Sequence, residues 1–330
     1  VVVLFYSKNH MIYTLGIIEK KPCNHKKTTT VYMYSTIIMI GPPGSGKTMI
    51  AQRIPSILPK LSFEESLEVT KIHSIAGLLS GNSPLIAERP FRHPHHTVSA
   101  AGLSGGGANP RPGEISLSHN GVLFMDELPE FRRDALEAMR QPLEDGEITI
   151  TRTSGSVTYP CSVMLVASMN PCPCGFYGDS TRDCTCSQSQ IVKYMSKISG
   201  PLLDRIDLHI EVPAVRYDEL EAKAPGESSV EIRQRVERAR QLQRERYKDS
   251  GVFSNSQLTP ELMEKYCRLD SEASSLLRDA FETLGLSARA HNRILKVART
   301  IADLAGEESI GLEHIAEAIQ YRALDKKFFN

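Results

Sequence analysis

The chain has 330 residues, 41% hydrophobic and 24% charged, proportions ordinary for a folded water-soluble protein. Its 39 Lys and Arg balance 39 Asp and Glu, so no global field recruits nucleic acid and any such binding must use a local patch. No apolar stretch is long enough to span a bilayer, and the opening Val-Val-Val-Leu-Phe-Tyr lacks the charged start and cleavage pattern of a secretory signal; a cytoplasmic protein with no membrane partner is expected.

Residues 1–36 carry no clear periodicity, and Lys20 to Lys27 form a polar, mostly basic insert. Ile37-Ile38-Met39-Ile40 then reads as a buried strand. It runs into Gly41-Pro42-Pro43-Gly44-Ser45-Gly46-Lys47-Thr48, a complete phosphate-binding loop, with helix-compatible Met49 to Arg53 beyond it. The glycines let backbone N–H groups curl around phosphate oxygens, and the helix N-terminus adds partial positive charge beneath them. Lys47 is placed to reach the β- and γ-phosphates and the Thr48 hydroxyl to ligate Mg²⁺, so ATP and Mg²⁺ are the expected cofactors.

His93, His95 and His96 come next, between prolines and loop signals that make a metal site hard to close; a loop lining a subunit interface or pore is expected. The Gly- and Ser-rich stretch from His96 to Arg111 reads as a mobile pore loop. Val122-Leu123-Phe124-Met125 is a second buried-strand run and ends in Asp126-Glu127, at the strand end where open α/β sheets bind ligands. Asp126 would hold Mg²⁺ through water, and Glu127 would polarise the water that attacks the γ-phosphate. Two solvated acids at a strand end are the plain alternative. Beside an intact phosphate loop, the pair implies ATP hydrolysis.

Glu147 to Arg152 and Ser156 to Tyr159 flank Thr153-Ser154-Gly155, a β-hairpin signal. Arg152 at its tip either contacts a nucleic-acid backbone or is a solvated arginine on an ordinary surface hairpin. A third apolar run, Val163 to Ala167, ends in Ser168-Met169-Asn170, where an amide can hydrogen-bond the γ-phosphate or the attacking water. Cys172, Cys174, Cys184 and Cys186 follow as C-x-C, nine residues, C-x-C, with the turn formers Gly175, Gly178 and Asp179 between the pairs. Four converging thiolates suit a tetrahedral structural Zn²⁺ that staples the loop after Asn170. The C-x-C spacing is less diagnostic than C-x-x-C, so disulfides and unliganded thiols stay open. Cys23, Cys161 and Cys267 are isolated and expected to be inert.

Pro201 to Asp207 leads into the last core strand, Leu208 to Val212, which Pro213 ends. Residues 214–229 read as a linker. The rest is helical over Val230 to Tyr247, Pro260 to Arg268, Ser271 to Leu284, Ala288 to Ala305 and Leu312 to Ala323, with Gly285, Gly306 and Gly311 as stops. The first of these helices is rich in arginine. It reads either as a DNA-holding face or as a solvated, partly ion-paired one, with Glu231 set against Arg235.

The phosphate loop, the Asp126-Glu127 strand end, Asn170 and the Leu-Leu-Asp-Arg-Ile-Asp stretch together resemble the AAA+ ATPases. The segments Phe91 to Thr97, Gly113 to Leu117 and Asn170 to Gly175 look like the magnesium-chelatase-like AAA+ proteins of the YifB/ComM group, a likeness that covers residues 37–325. The resemblance implies an α/β fold: a parallel sheet flanked by helices with β-hairpin inserts over 37–213, the linker, and a small α-helical lid over 230–330. It also makes Asn170 the polar sensor and Arg205 an arginine finger acting on ATP held by the neighbouring subunit. Arg289 becomes a second arginine sensor, reaching the γ-phosphate from the lid. A ring-shaped homo-oligomer, a hexamer, that translocates or branch-migrates DNA through its pore hairpin is implied, with a chelatase-type motor acting on a partner protein as the alternative. Residues 1–36 hold no counterpart of the family's adenine-cradling Gly-Gln motif or of its Lon-like domain. A fragment or diverged beginning, with weakened nucleotide affinity or an inactive remnant, is the corresponding expectation.

Overall fold

A computed structural model describes residues 36–79, 85–107, 109–152, 155–179, 182–215 and 226–328. The basic insert, Cys23, the Thr153-Ser154 turn and residues 216–225 of the linker lie outside the described residues.

Five parallel strands form the central sheet: β1 (Thr36–Ile40), β2 (Phe91–Arg92), β5 (Val122–Met125), β8 (Met164–Met169) and β9 (Leu208–Glu211). Their order across the sheet is β2-β5-β8-β1-β9. Strands covered on both faces need apolar side chains at nearly every position, which is why these segments read as unbroken hydrophobic runs. Alternate residues divide between the faces. Ile37, Met39, Phe124 and Val166 pack with Ala51 and Ile54 of α1 (Lys47–Ile57). Ile38, Ile40, Met125 and Ala167 pack instead with Ala135 and Leu136 of α5 (Arg133–Ala138).

Helix α2 (Phe63–Ile75) leads from α1 toward β2 and opens on a capping box formed by Ser62 and Glu65. Between β2 and β5 lie α3 (Ala100–Ser104), a short antiparallel pair β3 (Gly105–Gly106) and β4 (Arg111–Pro112), and α4 (Glu114–Leu117). The stretch read as a mobile loop is therefore partly built structure, with Ser99 capping α3. After α5, helix α6 (Arg140–Asp145) precedes the hairpin of β6 (Glu147–Arg152) and β7 (Gly155–Pro160), which forms its own two-stranded sheet. The two inserts lie together: Tyr159 Oη donates to Pro110 O (2.9 Å), and Gly105 is closely covered by Ile150.

Helices α7 (Gln188–Met195) and α8 (Gly200–Leu203) lead to β9. The C-terminal region is helical: α9 (Ser229–Tyr247), α10 (Pro260–Tyr266), α11 (Ser271–Leu284), α12 (Ala288–Ala305) and α13 (Leu312–Phe328). Its polar hub is Asp303, which accepts from Arg246 Nη2 (2.6 Å), Arg299 Nε (3.1 Å), Gln243 Nε2 (3.1 Å) and Asn255 Nδ2 (2.8 Å) while fully buried. Among the described residues, no helix is long and apolar enough to cross a membrane.

This helical region docks at the N-terminal ends of the strands. Asp207, just before β9, accepts from Thr36 N (2.9 Å) at the start of β1 and pairs with Arg293 of α12. Arg293 also donates to Arg205 O (2.7 Å), and Arg322 of α13 donates to Ile206 O.

Candidate functional site

The phosphate loop leaves the C-terminal end of β1, an inner strand between β8 and β9, and Lys47 opens α1. Gly41 fits where no side chain can, since a Cβ there would lie 2.0 Å from Val212 O. The Lys47 ammonium is held by the loop itself, donating to Gly41 O (2.7 Å), Pro42 O (2.8 Å) and Ser45 Oγ (3.3 Å), and it lies 3.4 Å from Asn170 Oδ1. Burial lowers its pKa to about 8, with Asp126 and Glu127 working against the drop. A buried cation with flanking acids and a glycine cradle is the donor set that a magnesium-bound polyphosphate requires.

The acidic half comes from β5. Thr48 Oγ1 donates to Asp126 Oδ2 (2.9 Å), so the two oxygens expected at Mg²⁺ are already neighbours. The register of β5 on β8, Met125 opposite Ala167, sets Ser168 beside Asp126, and Ser168 Oγ donates to Asp126 Oδ1. Sequence reasoning missed Ser168, which reads as one more strand residue; strand order and register are what give it a role. Glu127 follows in a left-handed conformation (φ 55°, ψ 50°), costly for a non-glycine residue, and its side chain is 57% exposed. An open cleft of about 420 Å³ is lined by Glu127 and Asn170 together with Lys193, Tyr194 and Lys197. Lys47, Thr48, Asp126, Glu127 and Asn170 are thus brought to one end of the sheet.

The four clustered cysteines also converge. Their Sγ atoms lie within 4.8 Å of one another, with Cys172–Cys174 at 3.3 Å, Cys174–Cys184 at 3.6 Å and Cys172–Cys184 at 3.7 Å. Four ligands about 2.3 Å from a tetrahedral centre stand about 3.8 Å apart, so this cluster is close to metal-binding dimensions. Backbone N–H groups of Gly175 and Cys186 point at Cys172 Sγ (3.2 Å) and Cys184 Sγ (3.4 Å). The other two described cysteines are buried, which pushes Cys161 up to about 12 and Cys267 up to about 11. Neither is a thiolate near neutral pH.

The two arginines lie elsewhere. Arg205 pairs with Glu144 of α6 and donates to Pro201 O (2.8 Å), and Arg289 lies 3.9 Å from the other oxygen of the same carboxylate. Arg205 precedes β9 next to the first residue of β1, whereas the phosphate loop follows the last. A strand of this length separates the two ends by about 13 Å. Docking of α12 on Asp207 carries Arg289, expected to reach a γ-phosphate from the lid, to the end of the sheet opposite its own phosphate loop, beside Arg205.

Arg152 is exposed at the end of β6, next to Gly106 of the other insert. The arginine-rich face of α9 is largely spent on structure. Arg233 donates to Ser56 O (2.9 Å), Arg240 to Gln243 Oε1 (2.8 Å), and Arg246 pairs with Asp303. Arg235 pairs with Glu227, and the Glu231 carboxylate closes the capping box on Ser228. Among the described residues the ligand atoms of the three histidines form no cluster of metal-binding size; the His93 ring is tilted against Phe124, and His96 Nδ1 stands 3.7 Å from Glu127 Oε2.

Comparison with known proteins agrees with this architecture. Residues 30–220 match the family described as magnesium chelatase, subunit ChlI, and residues 226–322 match its C-terminal family. The uncharacterized protein YifB of Escherichia coli (strain K12) is 46% identical over 291 residues, 88% of this chain and 56% of YifB. The competence protein ComM of Haemophilus influenzae is 43% identical over 321 residues, 97% of this chain and 62% of ComM. An uncharacterized protein of Mycobacterium tuberculosis (strain H37Rv) is 46% identical over 287 residues, 87% of this chain and 56% of the relative. The chain thus spans a little over half the length of these relatives.

Proposed function

The chain belongs to the magnesium chelatase subunit ChlI family, in its YifB and ComM branch, and from that premise we propose that it is an ATP-hydrolysing AAA+ motor that works on DNA. The observation that carries the reading is the meeting of Thr48 and Asp126 at 2.9 Å, with Lys47 and Asn170 on one side and Glu127 on the other. Thr48 and Asp126 would hold Mg²⁺, which would supply neutralising charge to the bound phosphates. Lys47 leaves its loop carbonyls for the phosphates, Glu127 polarises the attacking water, and Asn170 orients it.

Arg205 and Arg289 complete the site of a neighbouring subunit in a homo-oligomeric ring, a hexamer, because both stand away from their own phosphate loop and share Glu144. The paired inserts that carry Arg152 and Arg111 face the DNA, an assignment supported by exposure and by the competence role in the name of ComM. The four cysteines hold a structural Zn²⁺, supported by their near-tetrahedral spacing.

Steady-state ATP hydrolysis with and without single-stranded and forked DNA, alongside Glu127→Gln, tests the reading. DNA-stimulated turnover that the substitution abolishes is the expected result. Turnover that responds only to a partner protein would make the chain a chelatase-type motor instead.

A further inference from the structure

Glu127 has to hold a carboxylate within hydrogen-bond reach of a water, yet its own surroundings hold it loosely. Its backbone is in the left-handed region, its side chain is 57% exposed, and a glutamate carries substantial rotamer entropy. Among the described residues, the side-chain nitrogen that comes within 4.0 Å of its carboxylate is Nδ1 of His96.

His96, by contrast, is firmly placed. β2 lies beside β5 with Phe91 opposite Val122 and Arg92 opposite Leu123, so the chain leaving β2 emerges next to the Asp126-Glu127 end of β5. Arg92 is clamped by Glu114 through two hydrogen bonds, Nε to Oε2 (2.7 Å) and Nη2 to Oε1 (2.8 Å). The His93 ring lies 4.7 Å from that of Phe124. His95 bonds Thr97 Oγ1 (2.9 Å) and stacks on His96 with ring centroids 4.1 Å apart, and Phe131 meets His96 edge-on at 6.4 Å. A ring fixed from two sides thus presents Nδ1 at 3.7 Å from Glu127 Oε2. That gap is longer than a hydrogen bond and within the reach of an exposed, rotatable glutamate side chain.

We propose that His96 is the positioning residue for Glu127, an imidazole N–H that holds the carboxylate in its water-polarising orientation. The proposal rests on the reading of Glu127 as the group that polarises the attacking water. It also accounts for the His-Pro-His-His segment without a metal: His93 and His95 brace the segment, and His96 faces the reacting end of the sheet.

The test compares wild type, His96→Ala, His96→Gln, Glu127→Gln and the double variant His96→Ala/Glu127→Gln in steady-state ATPase assays, with ATP affinity measured separately. His96→Ala is expected to lower kcat about 10- to 100-fold, the scale of a misplaced catalytic group, with ATP affinity within about twofold of wild type. His96→Gln, which keeps a side-chain N–H donor, is expected to recover part of the loss. The double variant is expected to be no slower than Glu127→Gln alone, since a positioning residue has nothing to act on once its carboxylate is gone. Wild-type kcat in His96→Ala, equal losses in the Ala and Gln variants, or additive losses in the double variant would overturn the role of His96 while leaving the ATPase reading intact. Wild-type protein without turnover, or turnover that survives in Glu127→Gln, would overturn that reading and this proposal with it.

Discussion

Gly175 is packed against Pro43: at its φ of 90°, a Cβ would lie 2.5 Å from Pro43 Cδ. The loop that carries the four cysteines therefore rests directly on the phosphate loop. Gly175 N in turn points at Cys172 Sγ (3.2 Å), so the geometry of the cysteine cluster is passed on to Pro43 through one residue. The cysteine cluster and the phosphate loop are thus in contact through Gly175.

Gly175→Ala leaves every thiol in place but adds both a left-handed backbone penalty and a clash with the proline ring. A cost of about 1–2 kcal/mol on the shape of the phosphate loop should weaken ATP binding about five- to thirtyfold. Titration of a fluorescent ATP analogue measures it. Unchanged affinity would show that the two loops touch without being coupled.

Metal content addresses the cluster itself. Purified protein should carry zinc, and Cys172→Ser or Cys184→Ser should lose it, because each serine removes one of four converging ligands. The same substitutions should lower the melting temperature, and a chelator should do so in wild type but not in the variants. Zinc-free wild-type protein with free, titratable thiols would leave the cluster as unliganded cysteines.

Lys47 and Glu127 should separate binding from chemistry. Lys47→Ala removes the ammonium that the loop carbonyls hold ready and should abolish ATP binding. Glu127→Gln keeps size and hydrogen bonding but cannot polarise water, so it should bind ATP normally and hydrolyse it about 100- to 10,000-fold more slowly. Loss of binding in Glu127→Gln would contradict its assigned role, as would normal turnover in Lys47→Ala.

What was legible in the sequence was local. The strand runs, the Gly-Lys-Thr loop, the cysteine spacing and the terminal helices depend on neighbours within a few positions; β5 over Val122–Met125 and α12 over Ala288–Ala305 lie where the hydrophobic pattern puts them. What was not legible depends on strand order and docking. Ser168 meets Asp126 only because β5 and β8 are adjacent and in one register. His96 meets Glu127 only because β2 is the other neighbour of β5. Arg289 joins Arg205 because α12 docks on Asp207. None of these pairings has a sequence signal shorter than the fold itself.

The shared partner of Arg205 and Arg289 makes the last prediction a test of both at once. Both guanidiniums meet Glu144, at the end of the sheet away from their own phosphate loop, so on the proposed reading both serve a neighbouring subunit. In a head-to-tail ring each subunit offers this face to the next, and an arginine supplied in trans contributes about 10³- to 10⁵-fold in rate. Arg205→Ala and Glu127→Gln should each be nearly inactive alone. Mixed in equal amounts, roughly a quarter of the interfaces would join an intact Glu127 to an intact Arg205, and activity should return in that proportion. Arg289→Ala mixed with Glu127→Gln should behave the same way. Rescue with Arg205→Ala but none with Arg289→Ala would return Arg289 to its own nucleotide, and rescue with neither would mean that the oligomer adds nothing to the active site.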